Sequence, residues 1–267
     1  MLELEWILTF LLLGSFVGFI AGLLGVGGGG ILVPILTSLF ILKGISTDHV
    51  VHLALGTSMA CIIMTSISSL RAHNEKGAIH WDVVKLMSIG IIFGTLLSTY
   101  IASHLNSVYL AIFFSFFMGL TAIKMIRTNK SSHAQNDLNN TNMLVSSAGI
   151  GAVSALVSIG GGSMTVPYLV SKNVDIKRAI GTSAAIGLPI SLAGTLGYLI
   201  HGWGYESTLS NAIGFIYLPA VLLISATSFI TAPYGVKASH YLPIGTLKKL
   251  FALLLIVLSL KMLLFVI

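Results

Sequence analysis

The sequence predicts an all-α, polytopic membrane protein of two inverted-topology repeats. Each repeat is a glycine-rich broken, re-entrant hairpin followed by three transmembrane helices. Three observations predict it: an apolar composition, a glycine-rich phrase written twice, and a one-sided division of Lys and Arg. Hydrophobic residues make up 55% of the 267 and charged residues only 8%. Mean hydropathy is +0.98. A soluble chain averages about 25% charged residues, so this composition belongs in a bilayer. The chain has room for roughly ten apolar runs of about 20 residues with short loops.

The repeated phrase is GFIAGLLGVGGGGILVPIL (Gly18–Leu36) and GAVSALVSIGGGSMTVPYL (Gly151–Leu169). Gly18, Gly27, Gly28, Gly29 and Pro34 recur as Gly151, Gly160, Gly161, Gly162 and Pro167, all displaced by 133. A bilayer tolerates unwound backbone only where protein or a water-filled cavity satisfies it. Interrupted apolar segments at matching places in two halves point to the substrate site of a transporter.

Taken in order, apolar runs lie at about 4–24, 31–42, 49–70, 82–103 and 107–126. A polar stretch, Ser131–Asn142, follows as a cytoplasmic linker between residues 1–130 and 143–267. The second half has runs at about 143–158, 164–171, 178–200, 211–232 and 246–266. The second run of each half is too short to span a core of about 30 Å as a helix. It pairs with the run before it as a hairpin whose tip lies in the membrane. The duplication extends further, from ALGTSMA (Ala54–Ala60) to AIGTSAA (Ala179–Ala185), displaced by 125. It reaches Leu105–Met125 and Leu242–Met262, displaced by 137.

Charge selects the topology. Hairpins that return to their starting side leave each half with an odd number of crossings, so the halves are inverted. One face then holds 12 of the 14 Lys and Arg, and the other keeps Lys43 and Lys261. If every run crossed, the basic residues would divide between both faces. The positive-inside rule therefore favours inversion with both termini outside the cytoplasm. The same rule accounts for the net charge of +6 without nucleic acid. Glu3 and Glu5 near the start do not resemble a signal peptide. Trp6, Trp81 and Trp203 read as interfacial anchors.

The residues available for chemistry are few. Gly27, Gly28, Gly29 and Gly30, with Gly160, Gly161 and Gly162, can present backbone N–H groups in conformations closed to other residues. A helix start behind each tip adds partial positive charge. Two tips meeting from opposite sides would cradle an anion. The competing reading is close packing, which suits the upstream Gly14–Gly18–Gly22 spacing better than consecutive glycines before a proline. No Lys-Ser/Thr follows, so a Walker loop is excluded.

The paired Thr57, Ser58 and Thr182, Ser183, with Ser163, can donate to an oxyanion or glue helices together. No Asp or Glu falls clearly within a span, so the carboxylates of ion relays are missing. His52 and Arg71 are candidates for gating or attracting anions, beside the plainer roles of structural histidine and positive-inside anchor. A single cysteine, Cys61, makes neither a disulfide nor a CxxC site,. No cofactor, metal or enzymatic chemistry is expected. The expected partners are the lipid bilayer and a small anionic substrate, with oligomeric state open.

The motifs GLLGVGGGGILVPIL, ALGTS with SSLRAH, SIGGGSMTVPYL and AIGTSAA resemble the TauE/SafE family of sulfite and organosulfonate exporters across essentially the whole chain. The resemblance implies export of sulfite, sulfoacetate or a related sulfur anion across the inner membrane. The family's two motifs fall on Gly25–Pro34 and Ser158–Pro167. Ser158 and Ser163 stand where the first copy has Gly25 and Gly30, so the two tips are unequal. An anion channel is the nearer alternative, and a membrane-embedded enzyme or assembly factor of sulfur metabolism the more distant one.

Overall fold

The computed structural model describes residues 3–24, 27–127, 140–204, 209, 211–239, 241 and 244–266. The first five helices are α1 (Leu4–Leu24), α2 (Gly29–Leu42), α3 (Val50–Asn74), α4 (Trp81–Ser103) and α5 (Ser107–Arg127). The second five are α6 (Asn140–Val157), α7 (Gly162–Ser171), α8 (Ile176–His201), α9 (Leu218–Ser239) and α10 (Ile244–Val266). Among the described residues, six helices are long and apolar enough to cross a membrane: α1, α3, α4, α5, α8 and α9. The protein is a multi-pass membrane protein. Most of the expected linker, Ser131–Asn142, lies outside the described residues, and Asn140–Asn142 already belong to α6.

One apolar run departs from its helix. The run at 211–232 does not begin as helix. Ala212–Ile213 (β1) and Ile216–Tyr217 (β2) pair antiparallel, with Ala212 opposite Tyr217. Gly214 at φ 55° supplies the left-handed conformation of this turn, and Asn211 at φ 72° precedes β1,. Helix α9 therefore starts at Leu218 and continues through Pro233 to Ser239.

The two short helices follow from their sequences. Both begin on a glycine, and each carries proline at its sixth position, Pro34 and Pro167. Those prolines lack the N–H that would close on Gly30 and Ser163. At 14 and 10 residues, α2 and α7 fall short of a bilayer's thickness,. The end of α2 lies beside the start of α1: the Lys43 ammonium sits 4.0 Å above the Trp6 ring. Burial there lowers the Lys43 pKa, and the nearby Glu3 charge partly offsets it.

Helices α3 and α8 cross at the centre, and α3 is buried along most of its length. Around them α1 packs on α9, α4 on α6 and α5 on α10. Helix α2 packs on α3 and α7 on α8. Small residues make these approaches possible. A Cβ on Gly14 or Gly18 would collide with the α9 backbone at Ile224 or Ser228, and one on Gly22 with Ala232. Gly90 and Gly94 do the same for α4 against α6. The Gly14–Gly18–Gly22 ladder is thus a packing seam. Its opposite face exposes Leu4, Leu8, Leu12 and Phe16, a helical row suited to lipid tails,.

Candidate functional site

The two glycine breaks meet. Gly27 and Gly28 hold φ of 75° and 77°, and Gly161 holds 82°. All are left-handed conformations that favour glycine. A Cβ added to Gly27 would lie 2.8 Å from the Gly160 Cα, so the tips touch backbone to backbone. Gly29 lies against the Ser158 carbonyl and Ile62 of α3, and Gly161 lies against Ile186 and Ile190 of α8. The central helices thus sandwich both tips. Neither Gly28 nor Gly161 gives its helix a side-chain cap. The first turns of α2 and α7 start beside one another with their positive dipole ends at the tips.

A small cavity opens at this junction. Ala21, Gly27, Thr65, Ser66, Ser69, Gly160 and Ala184 line it. Its volume is about 10 Å³, close to the minimum for one water,. One wall is backbone from both tips, one is hydroxyls of α3, and one is the Ala184 methyl of α8.

The serine that replaces a glycine in the second copy has a clear place. Ser158 adopts φ 49°, unusual for a residue with a side chain,. Its hydroxyl donates to Ser58 Oγ at 2.8 Å, and Ser58 Oγ donates to the Gly29 carbonyl at 3.3 Å. The relay links the second tip to the first through α3. All three residues are buried.

The other predicted residues disperse. Gly30 is buried against Met118 of α5, and Gly162 starts α7. Ser163 Oγ is buried and without a hydrogen-bond partner in the first turn of α7. Thr57 Oγ1 accepts from the Tyr217 N–H, and Thr182 Oγ1 accepts from the His80 N–H, each at 3.0 Å. The preceding glycines, Gly56 and Gly181, lie against the carbonyls of Phe215 and Ala78. Each Gly-Thr therefore receives the segment that leads into α9 or α4, and neither threonine lines the cavity. Ser183 turns back to the Ile180 carbonyl.

His52 also stands apart. It is buried, with Nε2 2.9 Å from the Ala102 carbonyl and its ring against Phe215 and His49. Arg71 is exposed in the last turn of α3. Neither residue lines the cavity.

Sequence reasoning missed Thr65, Ser66 and Ser69. Their signal was the helical spacing of Ser58, Thr65, Ser66 and Ser69 within one apolar span. The duplicated Gly-Thr-Ser is the stronger pattern on the same helix, and a single unrepeated row of hydroxyls does not stand out beside it. Ala21 and Ala184 carried no signal of their own. They line the cavity by being small.

Comparison with known proteins adds identity to this geometry. A "Probable membrane transporter protein" of Haemophilus influenzae is 36% identical, over 96% of this chain and 98% of its own length. One of Methanocaldococcus jannaschii is 28% identical, over 98% of each chain. A Bacillus subtilis protein called "Probable membrane transporter protein YdhB" is 25% identical, over 91% of this chain and 92% of its own. No solved structure matches the chain. The family described as "Sulfite exporter TauE/SafE" matches residues 10–262, nearly the whole sequence. With apolar spans surrounding two apposed glycine breaks, this chain belongs to the TauE/SafE family and is a membrane transporter.

Proposed function

We propose that the protein is a secondary transporter that exports a small sulfur-containing anion across the inner membrane. Sulfite, sulfoacetate and related organosulfonates are the substrate class. The anion binds where Gly27–Gly30 and Gly160–Gly162 meet. The observation that carries this reading is the contact of the two tips at a shared cavity with uncapped helix starts behind them. Backbone N–H groups at a helix start are donors without acceptors, as an oxyanion requires. Ser58 steadies the site through its relay to Ser158. Ser163 offers a free hydroxyl from the first turn of α7. Thr57 and Thr182 are assigned instead to holding the two approach segments.

The inverted repeat belongs to the same reading, with halves 1–130 and 143–267. Exchanging α1–α5 for α6–α10 carries the α1–α9 contact onto α6–α4, and α3–α9 onto α8–α4. It carries α2–α3 onto α7–α8, and leaves α3–α8 and α5–α10 as they are. The return of Lys43 to Trp6 supports a re-entrant first hairpin. Both termini then face away from the cytoplasm, as the Lys and Arg partition requires. Export follows from energetics. A monoanion leaving a negative-inside cell gains about 2.3 kcal/mol per 100 mV, and a dianion about twice that. A junction with room for about one water favours a carrier over an open channel.

The test is uptake and efflux in proteoliposomes across sulfite, sulfoacetate, thiosulfate, sulfate and simple carboxylates. Saturable movement of the sulfur anions, competed by one another, supports the reading. Movement of carboxylates alone overturns the substrate class. A linear current with a reversal potential set only by the anion gradient replaces the carrier with a channel.

A further inference from the structure

Among the described residues, the lining of this cavity and its counterpart under the approximate symmetry between the halves are unequal. The registers already described map each lining position onto a counterpart. With a displacement of 125, Ser69 corresponds to Gly194 and Ala184 to Met59. Ser69 of α3 and Ala184 of α8, the first cross-helix pair, both line the cavity, a hydroxyl and a methyl. At the second, the Met59 side chain fills the gap: its Sδ lies 2.9 Å from where a Gly194 Cβ would sit. Thr65 corresponds to Ile190 and Ser66 to Ser191, whose hydroxyl is spent on the Leu188 carbonyl. The Ser69–Ala184 end is therefore polar, and the Met59–Gly194 end is filled by the Met59 side chain of α3.

The polar side carries an unpaired donor. Ser69 is 7% exposed, lines the cavity, and its Oγ has no hydrogen-bond partner. A buried hydroxyl without a partner is unfavourable, so a purely structural role would be better served by alanine. Ser66 is 3% exposed and lines the same wall one turn earlier. Along α3, Ile62 touches the tips, Ser66 and Ser69 follow, and Arg71 ends the series in the last turn. At 1.5 Å per residue the distance from Ile62 to Arg71 is about 14 Å. The hydroxyls thus occupy the stretch between the tips and the basic end of α3.

Resting on the transport reading above, we propose that Ser69, with Ser66, is the side-chain ligand that receives the anion on the Arg71 side of the glycine tips. Met59 closes the counterpart on the other side. The present form is the contracted one. A tetrahedral or pyramidal oxyanion enters only when the tips part from α3, and the Ser69 hydroxyl then gains the acceptor it lacks here.

The experiment uses the full chain in proteoliposomes, with radiolabelled sulfite and sulfoacetate as probes. Ser69→Ala should raise KM about tenfold, as loss of one donor to a charged acceptor does. Its thermal stability in detergent should stay unchanged or rise. Ser69→Thr, which keeps the hydroxyl, should stay within about threefold of wild type. Met59→Ala should leak sulfoacetate at least about tenfold faster than Met59→Leu, which retains the bulk that blocks the path. Wild-type transport with an unchanged Ser69→Ala KM overturns the ligand assignment and leaves the transport reading standing. Lower stability with unchanged KM does the same. Equal leak in the two Met59 variants overturns the plug. Wild-type vesicles that move neither probe sink the transport reading and this assignment together.

Discussion

At the scale of single residues, the tips depend on backbone conformation and on one hydroxyl relay. Gly28 and Gly161 share a left-handed φ, but their surroundings differ. A Cβ on Gly28 would lie 2.5 Å from Val17 Cγ1, whereas one on Gly161 would lie 3.1 Å from Ile190 Cδ1. Both alanine variants carry the left-handed penalty of about 1–2 kcal/mol. Gly28→Ala adds a clash with a β-branched side chain on α1. Thermal unfolding in detergent should therefore rank wild type above Gly161→Ala, and Gly161→Ala above Gly28→Ala. The reverse order would mean that the tips relax freely. Valine at either position should abolish transport while protein remains in the membrane. The relay makes a second prediction. Ser58→Ala leaves the buried Ser158 hydroxyl without its acceptor, at a cost of about 1–3 kcal/mol. Ser158→Ala in the same chain removes that stranded group, so the double variant should regain part of the loss. Additive losses in the double-mutant cycle would show that the 2.8 Å contact carries no coupling,.

At the scale of elements, the repeated Gly-Thr pairs act between halves. Thr57 of α3 holds the segment entering α9, and Thr182 of α8 holds the segment entering α4. The glycine before each threonine lets a carbonyl approach that a side chain would block. Valine keeps the shape of threonine and removes the acceptor. Thr57→Val strands the buried Tyr217 N–H at about 1–3 kcal/mol,. Thr182→Val strands the His80 N–H in a half-buried place that water can reach, so it should cost less. Substrate affinity should change less than about threefold in both. A tenfold loss of affinity with intact stability would return these threonines to the binding shell. The packing seam has its own test. Gly18→Leu would drive a side chain into Ser228 and Thr231 and should push α1 off α9. The expected result is loss of folded protein from the membrane, since no side-chain rotation can avoid a backbone collision.

At the scale of the whole molecule, the outer helices show lipid-facing rows, α3 is the most buried of the six candidate spans, and the large apolar side chains that α8 exposes form the row Leu192, Leu196 and Ile200. Exposed Ile89, Phe93 and Leu97 on α4, and Tyr109, Ile112 and Phe116 on α5, form further apolar rows like Leu8 and Leu12 on α1. Ser58 of α3 carries the relay, and α3 and α8 both contribute to the cavity lining. Orientation is the property to test at this scale. Cysteine placed in the stretch Ser131–Asn142, in a Cys61→Ser background, should be labelled by an impermeant thiol reagent only after the membrane is opened. Labelling in intact cells would reverse the assigned sidedness, and with it the side from which Ser69 is approached.

The sequence by itself determined where the backbone breaks and which residues recur in the two copies of the glycine phrase. Gly27–Gly30 and Gly160–Gly162 admit left-handed turns, Pro34 and Pro167 each remove one hydrogen bond from the helices behind them, and apolar length marks the spans,. These are local properties, and local properties are written residue by residue. The 212–217 turn was hidden because an apolar run of that length carries no period that separates a paired strand from a helix. The tertiary structure alone decided which hydroxyl faces what. Thr57 and Ser58 are neighbours in sequence, yet α3 turns one toward Tyr217 and the other toward Gly29. Ser183 matches Ser58 in the repeat but closes on its own helix. The direction of a short side chain is set by the rotation of its helix against its neighbours, and sequence pattern leaves that rotation open. The difference between the two ends has the same origin. Met59 and Ala184 are equivalent in register, and their difference in volume becomes a plug or a space only once Gly194 and Ser69 lie across from them.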